Sequence, residues 1–368
     1  MKNVVFLNSC QEWGGGEKWT LETASALVER EYSVTVAGRK KGELISRARS
    51  LGIKTRSTEV KSAFSCLNFY KLFSFAGYLQ RNNVDVLFMN LSQDLKFGGL
   101  AGKLAGVDKI IYRRGLAVPI KNRFYNRFLL GSCVTDIIAN SRATRKTILK
   151  NTAGWLDESK IEIIYNGIKL QEVDRVFNKP EVGNNLREEL GLNDDTVLIA
   201  SIGRLTPQKG HEYLFKAVEK IREEFENFKV LVVGSGEREE ELRHLVSRLD
   251  IEDKIIFFGF REDVYQILKE VDFLLHTALW EGFGYVIAEA MAAGKPVVAT
   301  DVSNIDEIVS DGRTGYLVES CNPKNIADKT LQMIKSSSRS KMGRAAREVI
   351  EQKFSFEKMI FQIENIMT

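Results

Sequence analysis

The chain has 368 residues, 44% of them hydrophobic and 28% charged, with a formal net charge of +4; this is longer than one core usually organises and excludes a disordered or fibrous chain. Its four cysteines, Cys10, Cys66, Cys133 and Cys321, have no paired spacing, which argues against a disulfide framework and a thiolate zinc site. No run approaches the roughly 18 apolar residues of a membrane span, and the opening segment lacks the long apolar region of a signal peptide, so the expected location is cytoplasmic.

The charge is unevenly distributed. Residues 1–175 hold 28 Lys and Arg against 16 Asp and Glu, a net of +12, while residues 176–368 hold 25 against 33, a net of −8. A basic first half suits an anionic acceptor or peripheral contact with the inner face of a membrane, where each basic residue near the surface contributes about 1 kcal/mol. Charges spread in this way also serve solubility alone. No nucleic-acid partner is expected.

In chain order, residues 3–8 (NVVFLN) read as a strand, Gly14-Gly15-Gly16 as a turn, and 17–30 as a helix, the opening of a doubly wound α/β domain. Further strands are expected at 33–37, 84–90, 109–113, 136–140 and 162–165, with helical periodicity between most of them. The stretch 66–79, CLNFYKLFSFAGYL, reads as a core helix ahead of the next strand or as an interfacial helix that dips aromatic rings into a membrane. After the strand at 109–113, Arg113 and Arg114 can clamp an anionic acceptor group bidentately or form a structural ion pair. From 169 to 195 the chain turns polar, with Pro180 and Gly183, and the linker and a short helix are expected there.

A second α/β domain opens with the strand 196–202 (TVLIASI) and the loop 203–210 (GRLTPQKG), which sets Arg204 and Lys209 five residues apart at the strand's carboxyl end. Ligands of open α/β sheets bind at that edge, and two cations nearly neutralise a diphosphate. A strand and glycine turn recur at 230–236, including Gly234, and at 255–260, ending in Phe260; the charged helix 237–249 reads as a solvated face. His276, at the end of the strand 273–275, reads as a core histidine.

The stretch 277–300, TALWEGFGYVIAEAMAAGKPVVAT, carries the densest chemistry. Gly282-Phe283-Gly284 feeds a helix at about 285–293, whose first backbone N–H groups form an anion site. Glu281 precedes the glycines and Glu289 follows eight positions later, so two carboxylates bracket that mouth. A final helical pattern at 341–367 carries a kink-prone Phe354-Ser355-Phe356.

The stretch EGFGYVIAEAMAAGKPVVAT, together with SIGRLTPQKG, VVGSGE, FFGF and GRTGYLV in that family's order, resembles the Glu-x7-Glu signature of retaining, nucleotide-sugar-dependent glycosyltransferases of family 4. The resemblance is strong over the second half of the chain and looser over the first. It implies a GT-B type fold: two Rossmann-like, doubly wound parallel-sheet domains at 1–175 and 176–345, with a terminal helix, 346–368, crossing back to the first. It further implies that Arg204, Lys209 and Glu281 are catalytic. Gly15, Gly16, Gly234, Phe260, Gly282, Phe283, Gly284 and Glu289 would line the site of a UDP- or GDP-linked sugar donor, with Glu281 on the sugar and Glu289 on the ribose. Relatives often carry a histidine where this chain has Arg113 and Arg114. The chain has no Asp-x-Asp and no Gly-x-Gly-x-x-Gly after its first strand; no metal and no other cofactor is expected, and a dinucleotide oxidoreductase is disfavoured. The expected acceptor is lipid-linked, a lipopolysaccharide or a polysaccharide, with a soluble small molecule or a silent binding protein as alternatives.

Overall fold

The computed structural model describes residues 1–179 and 186–368; Pro180 and Gly183 lie outside the described residues. Contacts divide the chain into two compact units, one comprising Met1–Asn166 with Met359–Thr368, the other Gly167–Lys358. The sequence reading placed the first division at 175/176 and the returning segment from 346; the contact divisions fall at 166/167 and 358/359.

The first unit is built on seven parallel strands: β1 (Asn3–Leu7), β2 (Ser33–Gly38), β3 (Lys54–Ser57), β4 (Val86–Met89), β5 (Lys109–Arg114), β6 (Asp136–Ala139) and β7 (Ile161–Ile163). Their order is β3-β2-β1-β4-β5-β6-β7. The central strands β1 and β4 are continuous apolar runs, as expected where both faces of a parallel sheet are covered by helices. Phe6 and Phe88 stack across that pair at 4.7 Å between centroids, and Trp19 meets both edge-on. The edge strand β3, KTRS, escaped the sequence reading because it is polar on both faces and half-solvated.

The second unit has six parallel strands: β8 (Val197–Ile202), β9 (Phe228–Val233), β10 (Ile255–Gly259), β11 (Phe273–His276), β12 (Val297–Thr300) and β13 (Gly315–Val318). Their order is β10-β9-β8-β11-β12-β13. In each unit the strand order reverses beside the first strand, between β1 and β4 and between β8 and β11. Loops diverge there at the carboxyl edge and leave a crevice, the usual ligand position in such sheets.

The aromatic stretch at 66–79 is divided between a short 3-10 turn, Ala63–Leu67, and the helix Phe69–Arg81, which buries Leu72, Phe75, Ala76 and Leu79. The terminal pattern is a full break: helices Arg339–Lys353 and Phe356–Met367 are separated at Phe354-Ser355. The Ile168 N–H donates to the Phe354 carbonyl (2.8 Å), and the Phe356 N–H donates to the Ile168 carbonyl (3.0 Å). Helix Phe356–Met367 ends in the first unit, where Glu364 pairs with Arg30 at 2.7 Å and the Met367 carbonyl accepts from Lys2 at 2.6 Å. Among the described residues no helix is long and apolar enough to cross a membrane.

Candidate active site

The switch point of the second sheet gathers residues from three segments. Lys209 comes from the loop after β8, His276 ends β11, and Glu281 follows in the loop before helix Tyr285–Ala292. The Lys209 ammonium pairs with Glu281 Oε1, and His276 Nε2 lies 3.0 Å from the same oxygen. Glu281 is 9% exposed and His276 3%. Burial alone would push the Glu281 carboxyl up, but the hydrogen bond from His276 and the charge of Lys209 outweigh it and hold the group at about 2. Burial drives His276 below its usual range against the opposing pull of Glu281, so the ring is neutral. A carboxylate oxygen can only accept, so His276 carries its hydrogen on Nε2, and Nδ1 is buried with no partner among the described residues.

Backbone geometry fixes these positions. Gly210 has φ +61, and a Cβ there would lie 2.3 Å from the Thr277 carbonyl, so only glycine lets the β8 loop close onto the end of β11. Thr277 Oγ1 donates to the Lys209 carbonyl at 3.1 Å, and Gln208 Nε2 to the Trp280 carbonyl at 2.9 Å. The Glu281 N–H donates to Ser303 Oγ at 3.1 Å. Ser303 holds φ +59, a conformation uncommon outside glycine.

The other predicted donor-side residues surround this cluster in different ways. Arg204 is exposed, so it is available to an anion while Lys209 is already paired. Gly234 makes room for backbone: a Cβ there would stand 2.0 Å from the Gly203 carbonyl, one residue from Arg204. Gly282, Phe283 and Gly284 lead into the helix, with Phe283 buried and Gly284 as its N-cap. Glu289 is half-buried on the second turn of that helix. Phe260 is 68% exposed just past β10.

The switch point of the first sheet forms a second polar cluster, after β1 and β4. Glu17 Oε1 accepts from Asn8 Nδ2 at 3.0 Å, and Asp94 Oδ2 accepts from the Ser9 and Leu91 N–H groups at 3.3 and 3.1 Å. Burial pushes the Asp94 carboxyl up to about 7, against the pull of its Ser9 and Leu91 hydrogen bonds and with a further push from Glu17. Gly15 and Gly16 open helix Gly15–Glu29 above it, and the Gly16 carbonyl accepts from Thr20 Oγ1 at 2.9 Å.

Arg113 and Arg114 both make contacts within their own unit. Arg113 is 3% exposed, stacks its guanidinium 4.3 Å over Trp19 and donates to Asn166 Oδ1 at 2.8 Å. Arg114 donates to the Val118 carbonyl and, at 3.3 Å, to the Tyr112 hydroxyl. These contacts are a cation–π stack and hydrogen bonds to a side-chain amide, a hydroxyl and a backbone carbonyl. Sequence reasoning missed Asp94, Glu17 and Ser303, and set His276 in the core; the signal available for His276 and Asp94 was their place at or just after a central strand's carboxyl end.

Comparison with known proteins matches residues 183–349 to the family described as Glycosyl transferases group 1 and residues 13–172 to Glycosyltransferase Family 4. An uncharacterized glycosyltransferase of Methanocaldococcus jannaschii is 36% identical over 53% of this chain and 49% of its own length. The N-acetyl-alpha-D-glucosaminyl L-malate synthase of Bacillus anthracis is 33% identical over 56% of this chain and 53% of its own. The chain thus spans about half the length of these first curated relatives. At 23% identity, the UDP-Gal:alpha-D-GlcNAc-diphosphoundecaprenol alpha-1,3-galactosyltransferase of Escherichia coli matches 83% of this chain and 79% of its own. Among solved structures, a Rickettsia africae glycosyltransferase superposes with a TM-score of 0.88 at 24% identity, covering 100% of this chain and 97% of that one. Anabaena HepE in complex with UDP and glucose gives 0.80 at 22% identity, covering 99% of each. With two parallel-sheet units, the ordered motifs and both family matches in agreement, the chain belongs to glycosyltransferase family 4 and has the GT-B fold.

Proposed function

We propose that this chain transfers a sugar, with retention of anomeric configuration, from a UDP- or GDP-linked donor to a lipid-linked, lipopolysaccharide or polysaccharide acceptor. The observation that carries the reading is the Lys209, His276 and Glu281 cluster at the β8/β11 switch point, with exposed Arg204 on the same loop as Lys209. In this reading Arg204 and Lys209 bind the donor diphosphate and stabilise the phosphate that departs. The N-terminus of helix Tyr285–Ala292 adds its free N–H groups. These groups take the electrostatic part that a divalent ion plays elsewhere, so the proposed reaction runs without a metal.

Glu281 holds the sugar hydroxyls as an ionised acceptor, and Glu289 the ribose. Lys209 then exchanges part of its bond to Glu281 for the diphosphate when the donor enters. The departing phosphate oxygen takes the proton of the incoming hydroxyl, and no covalent nucleophile is assigned. Lipid-linked acceptors are favoured by the printed name of the Escherichia coli relative and by the basic first half of the chain. The name of the Bacillus anthracis relative favours a second reading, a small-molecule acceptor.

The test is calorimetry and thermal shift with UDP, GDP, ADP and their sugar conjugates, without metal, on the wild type and on Glu289→Ala. Binding of one nucleotide, weakened in the variant, supports the donor site, and NMR of the product anomer then decides retention. A folded protein that binds none of them overturns the assignment and leaves a silent scaffold.

A further inference from the structure

Five residues other than glycine hold a positive φ among the described residues: Glu31, Asn83, Asp250, Ser303 and Cys321. Glu31, Asn83 and Asp250 follow the C-caps of helices Gly15–Glu29, Phe69–Arg81 and Glu239–Arg248, where a left-handed residue is an ordinary way for a helix to end. Cys321 stands in the turn before Asn322, the N-cap of helix Pro323–Lys335. Ser303 ends no helix. It lies three residues past β12, at φ +59, in the loop that grips residues 281–284.

The grip has three points. Ser303 Oγ accepts the Glu281 N–H at 3.1 Å, and Asn304, which is buried, donates from Nδ2 to the Phe283 carbonyl at 3.1 Å. A Cβ at Gly284 would stand 2.9 Å from Ile305 Cδ1. Glycine at 303 would make the same turn without the penalty that a Cβ brings to a left-handed conformation. What serine adds is its hydroxyl, and the fold uses only part of it. A hydroxyl offers one hydrogen and two lone pairs. The Glu281 N–H takes a lone pair; the hydrogen has no acceptor among the described residues, and Ser303 is exposed.

The neighbouring charge decides what that hydrogen suits. Glu281 is ionised, so its carboxylate only accepts, while the Ser303 O–H against its backbone has a hydrogen to give. A carboxylate and an O–H side by side match a neutral group that gives one hydrogen bond and takes another. A sugar hydroxyl does so through one oxygen, and an acetamido substituent through its N–H and carbonyl. A phosphate gives none and meets the charge of the carboxylate, and Arg204 and Lys209 serve it in the proposed reaction.

We propose that Ser303 determines sugar specificity in the donor site: its free O–H donates to an oxygen of the transferred sugar, on the group from which Glu281 accepts. The assignment rests on the donor-site reading of Glu281 and adds a residue that tells one sugar from another.

The test is calorimetry of UDP, UDP-glucose, UDP-N-acetylglucosamine, GDP and GDP-mannose with the full chain and with Ser303→Ala, Ser303→Gly and Ser303→Thr. Each is read as the ratio of the affinity for a sugar conjugate to that for its free nucleotide. Ser303→Ala and Ser303→Gly are expected to lower this ratio about three- to tenfold for the conjugate that the wild type binds most tightly, the loss of one neutral hydrogen bond, with the affinity for free nucleotide unchanged. Ser303→Thr keeps the hydroxyl and is expected to keep the ratio. Ser303→Gly is also expected to melt higher than Ser303→Ala, since it alone relieves the left-handed backbone, and this separates lost recognition from lost folding. Analogues of the conjugate that each lack one oxygen complete a cycle: the one without the partner oxygen is expected to bind wild type and Ser303→Ala alike. An unchanged ratio in Ser303→Ala, an equal fall for nucleotide and conjugate, or a loss that no analogue removes overturns the proposal and leaves the donor site standing. A wild type that binds none of the nucleotides overturns the donor-site reading itself, and this proposal with it.

Discussion

His276 and Glu281 share a buried hydrogen bond of 3.0 Å to the same carboxylate oxygen that Lys209 pairs with. A neutral imidazole therefore orients an ionised acid while a cation balances it, and each group depends on the other two. Glu281→Gln leaves Lys209 without its counter-charge in a largely buried place, at an expected cost of about 3 kcal/mol. Sugar transfer is expected to fall about 10²- to 10³-fold. Thermal melts and single-turnover rates check this; a variant as stable and active as the wild type removes Glu281 from the site.

The same pair gives an acid limb to stability. The Glu281 carboxyl lies at about 2 in the fold against 4.5 unfolded. Its contribution is thus present above about pH 4.5 and is lost as the pH falls toward 2, up to about 3 kcal/mol. Denaturant midpoints across that window should fall more steeply in the wild type than in Glu281→Gln, and parallel curves would contradict the assignment.

Asp94 works in the opposite sense. Its folded value of about 7 exceeds the ordinary 3.8, so the fold favours the protonated acid. The associated stability is full below about pH 4 and declines as the pH rises through 7, by up to about 4 kcal/mol. Asp94→Asn keeps an acceptor for the Ser9 and Leu91 N–H groups but cannot ionise. Its melting temperature relative to wild type is expected to rise between pH 5 and pH 8; a constant difference would refute a titrating Asp94.

Gly210→Ala tests the closure of the β8 loop. The added methyl would meet the Thr277 carbonyl at 2.3 Å in a left-handed conformation, so a loss of about 2–4 kcal/mol is expected. Urea denaturation measures it, and a change below about 0.5 kcal/mol would mean that the loop closes otherwise.

Arg204 and Arg113 should separate cleanly. Arg204→Ala is expected to leave the melting temperature unchanged and to weaken donor binding about 10- to 100-fold, since it removes only a charge-assisted contact to the diphosphate. Arg113→Ala is expected to cost about 2–3 kcal/mol of stability through the lost Asn166 bond and Trp19 stacking, with donor affinity retained. Calorimetry with UDP beside thermal melts distinguishes them, and the reverse pattern would exchange their roles.

Much of the fold was legible because buried parallel strands announce themselves as short apolar runs, as in VVFL and VLIASI, followed by glycine turns. What escaped was set by tertiary placement. β3 is polar on both faces and is a strand only because β2 offers it an edge. The pairing of Ile168 with Phe354 and Phe356 joins residues nearly 190 apart, and no local pattern encodes it. In the site, Arg204, Lys209, Glu281 and Glu289 stood out by spacing, whereas Ser303 acts through a backbone conformation and Asp94 through burial, neither of which has a sequence signature. Arg113 shows the converse: a cation on a promising loop turned inward to stack on an indole ring.

The break at Phe354-Ser355, clasped to Ile168, has a consequence for biosynthesis. The second unit is in effect an insertion, with its entry and exit hydrogen-bonded side by side, so residues 167–358 can close on themselves as they leave the ribosome. The first unit begins earlier and finishes later: Met359, Ile360, Ile363 and Met367, all buried, are supplied only after the whole insertion has been made. Until then its nascent form lacks these apolar side chains and the Glu364 partner of Arg30, which makes the older half of the chain the last to mature.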